Sequence, residues 1–577
     1  TADPHLSEYL PEHWQCRKWL SGFDGSAGTL VVTQEDAGLW TDSRYWVQAE
    51  KQLAGTGIIG MNITGGQTLP WADWLAAQLS PGAAVAVDGG MISLEMGRRL
   101  DEKFRAANLR FVSDCDLVSG IWTDRPPLPQ SPVYEHDAAF VALSRAEKLQ
   151  LLRQKLSEAG AGWHFISTLD DIAWLLNLRG SDIAFNPLFI AHCLVGQEAV
   201  ALFIDSEKVS TALQETLAAD GITLYPYGNA ASALEGLPSD AVLLLDPRRV
   251  TSGMFQAVRN GVHVVEAINP GVLLKSRKAE SEIVHIRRTM EEDGAALCEC
   301  FAWLENAIRQ GQRVTELTVA EKMEACRKER PGYVSLSFDT IAGFNENAAL
   351  PHYRATEESH AVIRAPGLLL VDSGGQYPGG TTDVTRVISI GEPSAEQKRD
   401  FTLVLKGLIA LSSAFFPRSI RSAMLDAIAR APLWRQGLDY GHGTGHGIGY
   451  FLNVHEGPQS LSYHAAAEAY TAMEEGMITS IEPGIYRPGR WGIRLENLVV
   501  NRQAENTEFG DYLCFETLTL CPFDTRCLDP GLLTHSEVAW INRYHAEVRH
   551  RLSPLLSATA RAWLEPLTHP LPPPAFA

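Results

Sequence analysis

This 577-residue chain is short of positive charge: 49 lysines and arginines stand against 69 aspartates and glutamates, a net charge of −20. Bulk attraction to nucleic acid or to an anionic membrane surface is therefore excluded as its mode of binding. Long apolar runs are missing too. No stretch reaches the roughly 18 consecutive apolar residues that a membrane-crossing helix needs. Cysteine is sparse and unpaired in pattern: nine residues, Cys298 and Cys300 the closest pair, and no Cys-x-x-Cys. Neither a disulfide framework nor a zinc knuckle fits that spacing, so reduced thiols in a cytoplasmic protein are the expectation. The chain opens without methionine, so its first residues carry no weight on targeting.

The rest is an ordinary globular composition, 45% hydrophobic and 20% charged, on a chain too long for one core. Two breaks divide it. "TDRPPLPQSP" (123–132) is rich in proline and poor in apolar residues, as a linker is. At "NPGVLLKSRKAESE" (269–282) a strand-rich stretch gives way to a helical pattern. Before each break, strand-like runs ("GTLVVT", "AVAVDGG"; "WHFIST", "AVALFID", "AVLLLD") mix with helical segments, so both pieces read as α/β units. Ser144 and Glu147 form a capping-box signature ahead of Leu149, Leu152 and Leu156, and Gly160 closes that helix. A long amphipathic helix is expected from Glu280 to about Arg309, strands from 335 to 525, and helix again after about 534. The tail "PLTHPLPPPAFA" reads as extended or disordered. The fold class is α+β, divided at 1–130, 131–270 and 271–577, the last part ending in a helical extension.

The chemistry sits in the third part. In "VDSGGQYPGGTTDVTR" (371–386), a hairpin turning at Tyr377-Pro378-Gly379-Gly380 brings Asp372 and Asp383 together. In "ITSIEPGIYRPGRWGIRLENLVV", a second hairpin centred near Gly489 sets Glu482 opposite Glu496, and the layout matches the first closely enough to raise an internal duplication. Between them lies "YGHGTGHGIGYFLNVHEGP" (440–458), with three histidines and six glycines that let the backbone bend tightly. Taken singly, each acid reads as a solvated turn residue. But Asp372 and Glu482 each end a strongly apolar run, where an uncompensated charge is costly. Four carboxylates and one imidazole suit two divalent cations with a position left for water. Oxygen-rich ligation favours a hard ion such as Mn²⁺ over a thiolate-type zinc site. Spacing alone leaves the reaction open.

At these residues the sequence resembles the aminopeptidase P (Xaa-Pro aminopeptidase) family in its long, three-domain form. That family lies within the pita-bread metallopeptidase superfamily of methionine aminopeptidase, prolidase and creatinase. The motifs "DSGGQYPGGTTDVTR", "HGTGHGIGYFLNVHEGP", "IEPGIY" and "GIRLENLVV" occur in the family's order. The likeness extends to "SEYLPEHWQCRKWLSGFDGSAGTLVVTQEDAGLWTDSRY" and "LDDIAWLLNLRGSDIAFNPLF", and so covers nearly the whole chain. It implies two creatinase-like α/β domains before a pita-bread catalytic domain. It implies metal ligands at Asp372, Asp383, His446, Glu482 and Glu496, with the residues matching Asp383 and Glu496 bridging both metals. His352 and His455 match histidines that contact substrate and steady the tetrahedral intermediate, and His442 matches a further active-site histidine. Arg494, two residues before Glu496, shares its strand face and joins the substrate-binding set.

The implied reaction releases the N-terminal residue from peptides with proline second. A hydroxide bridging two divalent metals, Mn²⁺ first with Zn²⁺ or Co²⁺ as alternatives, attacks the carbonyl, and Glu482 shuttles the proton. The implied partners are such peptides and a second copy in a homodimer, with no nucleic acid and no membrane. Competing readings are a prolidase restricted to dipeptides, a creatinase-type C–N hydrolase and a catalytically silent pita-bread binding protein. All five ligand positions are intact, which counts against the last. Pro351 departs from the small or aliphatic residue usual before the first histidine. "DGSAG" (24–28) lacks the first glycine of Gly-x-Ser-x-Gly and reads as a turn between strands. "WTDSRY" reads as packing, although Arg44 could lean towards a substrate entrance.

Overall fold

Short apolar strands alternating with helices build the first half of the chain. In the computed structural model, which describes residues 2–42, 44–64 and 69–574, they belong to one of two compact units. This unit comprises Thr1–His136 and Leu143–Leu274; the other comprises Asp137–Ala142 and Lys275–Ala577. In the first unit a three-stranded sheet runs Thr29–Val32, Ala37–Thr41, Ile59–Asn62, and a mixed six-stranded sheet centres on His192–Gly196 and Trp163–Ile166. The central strands of the larger sheet are buried almost throughout, which explains their unbroken apolar character. Ser144 and Glu147 close the capping box on Arg145–Glu158, and Gly160 follows at φ +71°.

The "DGSAG" segment lies between the helix Cys16–Ser21 and the strand Thr29–Val32, not between two strands. Arg17 donates to the carbonyls of Gly25 and Gly28, and Ser26 shares a hydrogen bond with Tyr45, so its role is packing. Arg44 is held in a two-point ion pair with Asp42 at 2.7 and 2.8 Å; Ser43 of "WTDSRY" lies outside the described residues.

In the second unit the helix Glu280–Arg309 spans 30 residues, about 45 Å at 1.5 Å per residue. Its apolar face (Ile286, Met290, Leu297, Phe301, Leu304) is buried. Two antiparallel sheets carry the acids. One runs Ile341–Phe344, Gly367–Ser373, Val384–Ile390; the other has six strands with Asn497–Thr507, Ile478–Ile481 and Gly445–Gly447 adjacent. The stretch 335–525 is less uniformly strand than its apolar runs predict, because Ala395–Ser412 and Asp426–Trp434 are helices. A capping box of Ser394 and Gln397 marks the start of the first, a signal overshadowed by the run "LVLKGLIAL". The tail also departs from expectation: Pro566 lies inside the helix Ala558–Leu567, and Leu571 exchanges two hydrogen bonds with Asn542. Its last three residues lie outside the described ones. Among the described residues no helix is long and apolar enough to cross a membrane.

Gly294, midway along the 30-residue helix, permits its contact with the chain at Leu520: a Cβ there would sit 2.1 Å from the Leu520 carbonyl oxygen. Helix propensity alone favours alanine at this position by about 1 kcal/mol. The clash outweighs it. Gly294→Ala is expected to destabilise the protein by about 2 kcal/mol, read as a lowered melting temperature; an unchanged or raised value would contradict this packing.

Candidate metal centre

Strand register sets the four acids. Gly367–Ser373 and Val384–Ile390 pair so that Asp372 faces Thr385, and the turn segments pair Gln376 with Thr381 and Tyr377 with Gly380. Asp383 is thus diagonal to Asp372 rather than opposite it, two residues along and on the same face. In the second hairpin Ile481 pairs with Asn497 and Gly484 with Arg494, so Glu482 and Glu496 lie directly across from each other. Asp372, Asp383 and Glu496 are buried and Glu482 half-buried.

The glycine-rich segment runs beside the strand that leads into Glu482, pairing Gly447 with Thr479. A Cβ on Gly445 would lie 1.8 Å from the Ser480 carbonyl oxygen, so only glycine permits the approach. Next to it, His446 Nδ1 lies 3.0 Å from the Gly447 carbonyl. A carbonyl oxygen only accepts, so Nδ1 carries the proton and Nε2 presents a lone pair. That lone pair faces Asp383 Oδ2 at 3.6 Å and Glu482 Oε1 at 3.4 Å. Three acceptors meet there with one long donor between them, Ser480 Oγ at 3.4 Å from Glu482 Oε1, which is an arrangement a cation completes. Ligand atoms of Asp383, His446 and Glu496 all lie within 4.8 Å of one another.

Two further observations fit metal binding. Asp372 Oδ1 and Glu496 Oε1 are buried without a hydrogen-bond partner. Among the described residues Arg494 bonds these acids, reaching Asp372 Oδ2 at 2.6 Å, and it also donates to Thr385 Oγ1 and the Tyr486 hydroxyl. Thr385 in turn donates to Glu496 Oε2 at 2.8 Å. Burial, then the neighbouring carboxylates, push the Asp383 and Glu496 carboxyls well above their usual range. Burial raises Glu482 to about 7 against the pull of Arg494, and burial with the nearby His455 holds His446 down to about 3. Without counter-cations the site must keep protons. Four oxygen donors and one nitrogen, with no sulfur, suit hard or borderline divalent ions.

The other expected residues are placed as follows. The His455 ring meets His446 edge-on, centroids 4.3 Å apart. The neighbouring Glu456 is buried and bonds Lys278 Nζ at 2.6 Å, with Lys275 Nζ at 3.8 Å. His442 Nδ1 lies 2.7 Å from the Gly443 carbonyl and Nε2 2.8 Å from the Tyr486 hydroxyl. His352, half-buried after Pro351, belongs to a loop gathered by buried Glu316, which accepts from Phe344 N, Asn347 Nδ2, the Tyr353 hydroxyl and Ala361 N. Tyr486, Thr385, Glu316 and the Lys278–Glu456 pair escaped the sequence reading. Tyr486 and Thr385 were accessible to it, since the steps 482, 484, 486 and 383, 385 along extended chain each keep one face.

Along the sequence, models of the creatinase/prolidase N-terminal domain match residues 13–117 and 124–282. The model of metallopeptidase family M24 matches 284–503, and that of the C-terminal region of peptidase M24 matches 511–571. Aminopeptidase P2 of Arabidopsis thaliana is 39% identical, the match covering 99% of this chain and 85% of that protein. The chain belongs to the aminopeptidase P group of metallopeptidase family M24. Xaa-Pro aminopeptidase 1 of Dictyostelium discoideum is similarly related, 37% identical over 99% of this chain and 93% of its own length. The crystal structure of X-prolyl aminopeptidase from Caenorhabditis elegans, described as a cytosolic enzyme with a di-nuclear active site, matches with TM-score 0.93 and 34% identity. That match covers 99% of this chain and 94% of the other. Two creatinase-like N-terminal domains therefore precede a pita-bread catalytic domain, as the α+β expectation held.

The raised carboxyl pKa values fix a sign. A folded-state pKa above the unfolded one adds stability at low pH that is lost as pH climbs through the folded value, here about 7 for Glu482. Metal-free protein is expected to lose melting temperature between about pH 5 and pH 8, and added Mn²⁺ to restore more at the upper end, where protons no longer compete. Melting curves with chelator and with Mn²⁺ test this; a cation effect constant across pH would contradict it.

Proposed function

We propose that the protein is a metal-dependent aminopeptidase that releases the N-terminal residue from peptides with proline in the second position. One observation supports the reading: ligand atoms of Asp383, His446 and Glu496 gather within 4.8 Å of one another, with two buried carboxylate oxygens nearby lacking a hydrogen-bond partner, in a chain similar to Xaa-Pro aminopeptidases over 99% of its length. Asp372, Asp383, His446, Glu482 and Glu496 would hold two divalent ions, Mn²⁺ by preference for oxygen donors. When bound, such ions polarise the scissile carbonyl and make hydroxide available near neutral pH.

The chain's own residues do the rest. Glu482, half-buried, takes the proton from the attacking water and delivers it to the leaving nitrogen. His352 and His455 donate to the developing oxyanion and orient the peptide. Arg494 holds Asp372 in place, and His442 lines the site through Tyr486. An acidic pocket that receives the substrate's free amine accounts for exopeptidase action. Proline offers no amide N–H, so recognition must rest on ring shape and on the carbonyl. The domains are assigned to 1–130, 131–270 and 271–577, in a cytoplasmic homodimer; the cytosolic description of the Caenorhabditis elegans enzyme supports the compartment. A dipeptide-restricted prolidase is the second reading, on the same metal site.

A peptide panel separates these. Arg-Pro-Pro-type tripeptides and longer Xaa-Pro peptides should be cleaved, with little turnover of Xaa-Ala or N-acetylated forms. Equal rates on Xaa-Pro and Xaa-Ala would indicate a broader aminopeptidase, and cleavage of dipeptides alone a prolidase.

Ligands and helpers should also part company. Asp383→Asn should lower both metal content and rate, whereas His455→Ala should keep its metals and lose about 10²-fold in kcat. Elemental analysis beside the kinetics decides; a metal-free His455→Ala protein would refute the division of roles.

A further inference from the structure

The helix Asp426–Trp434 supplies none of the five ligands, yet it holds the histidine loop from within the core. Asp426 and Arg430 are fully buried, and Arg430 Nε bonds both oxygens of Asp426 at 2.9 Å. The remaining guanidinium donors all go to one short stretch of chain. Nη1 bonds Asp439 Oδ1 at 2.7 Å and the Tyr440 carbonyl at 2.8 Å, and Nη2 bonds the His442 carbonyl at 2.5 Å. The guanidinium plane lies 3.9 Å from the Tyr440 ring centroid and 4.7 Å from that of Tyr463. Asp426 also accepts from the Thr444 hydroxyl and from Tyr463 N, and Thr444 shares a hydrogen bond with the Tyr440 hydroxyl.

The consequences reach the acids by two routes. The Thr444 carbonyl accepts from Glu482 N at 2.8 Å, which ties the loop to a proposed ligand. On the other side, the His442 ring meets Tyr486, Tyr486 meets Arg494, and Arg494 bonds Asp372. Because Nδ1 of His442 must donate to the Gly443 carbonyl, Nε2 of the neutral ring accepts the Tyr486 O–H.

We propose that Asp426 and Arg430 are positioning residues for the peptidase site, setting the His442 ring and the Thr444 peptide through hydrogen bonds to the loop backbone. This rests on the aminopeptidase reading. A buried acid–base pair could serve stability alone, but a pair that merely filled the core would not direct its donors to three residues of one functional loop. Lysine at 430 keeps the charge and loses the fork that reaches two carbonyls at once.

The test is a double-mutant cycle on the metal-loaded protein with an Arg-Pro-Pro-type tripeptide, together with ¹⁵N-histidine spectra of the metal-free protein. Arg430→Lys should fold, retain metal and lose about tenfold in kcat. Combined with His442→Ala, it should cost less than it does in the wild-type background, because one of its two routes runs through the same ring. The His442 resonance, identified by its absence in His442→Ala, should leave the Nδ1–H tautomer for a mixture. Losses that multiply, an unchanged kcat in either single variant, or an unmoved His442 signal would each overturn the proposal. Should Arg430→Lys fail to fold, Thr444→Val removes only the hydroxyl joining Asp426 to the loop, and the same cycle and spectra apply with the same outcomes. An inactive wild type would defeat the aminopeptidase reading, while the His442 spectrum would still decide the positioning role.

Discussion

Four carboxylates face one arginine, and the catalytic unit is organised around that imbalance. Two like charges about 4 Å apart repel by roughly 4 kcal/mol at an effective dielectric of 20. Arg494 bonds Asp372 directly and acts on the other three only from a distance, with Thr385 standing between it and Glu496. The residual charge must be met by protons or by metal ions. Burial first, and then that requirement, displace three carboxyls upward, and the two orphaned oxygens and the imidazole lone pair aimed at acids fit the same imbalance.

The two hairpins look alike in sequence and differ in geometry. Glu482 and Glu496 form a direct cross-strand pair, for which Cβ atoms lie about 5 Å apart; Asp372 and Asp383 are diagonal, nearer 7–8 Å. The resemblance in layout therefore does not extend to register, and the hairpins are not residue-for-residue copies. Unequal spacing has a use: the diagonal brings Asp383, not Asp372, beside His446 and Glu496. Asp372 stands outside that triad with Arg494.

The parts legible in the sequence were those where one local signal suffices. Ser144 with Glu147, the long helix from Glu280, and acids ending apolar runs are of that kind, and strand alternation was enough for Arg494. The parts that were not legible depend on burial. Asp426 and Arg430, four apart on a helix, have the spacing of a solvated surface pair, yet both are wholly buried. Lys275 and Lys278 sit in the stretch that divides the strands from the long helix, and their side chains are 1% and 2% accessible around Glu456. Spacing along the chain carries no information on what lies across the core, so the buried pairs around the acidic cluster were hidden while the acids that end apolar runs were visible.

The histidine loop shows how a local pattern becomes chemistry. His442 and His446 are each followed by glycine, and in each case Nδ1 donates to that glycine's carbonyl, at 2.7 and 3.0 Å. The repeat thus fixes the same tautomer twice and turns both Nε2 atoms away from the backbone. What each nitrogen does is then set by what faces it. At 442 the partner is the Tyr486 hydroxyl, whose proton fills the lone pair. At 446 the partners are Asp383 and Glu482, neither of which has a proton to offer once ionised, so the lone pair is left for a cation. Two histidines with identical local bonding acquire different roles from their neighbours across the sheet, which is why the motif alone could place them in the site without dividing the work between them.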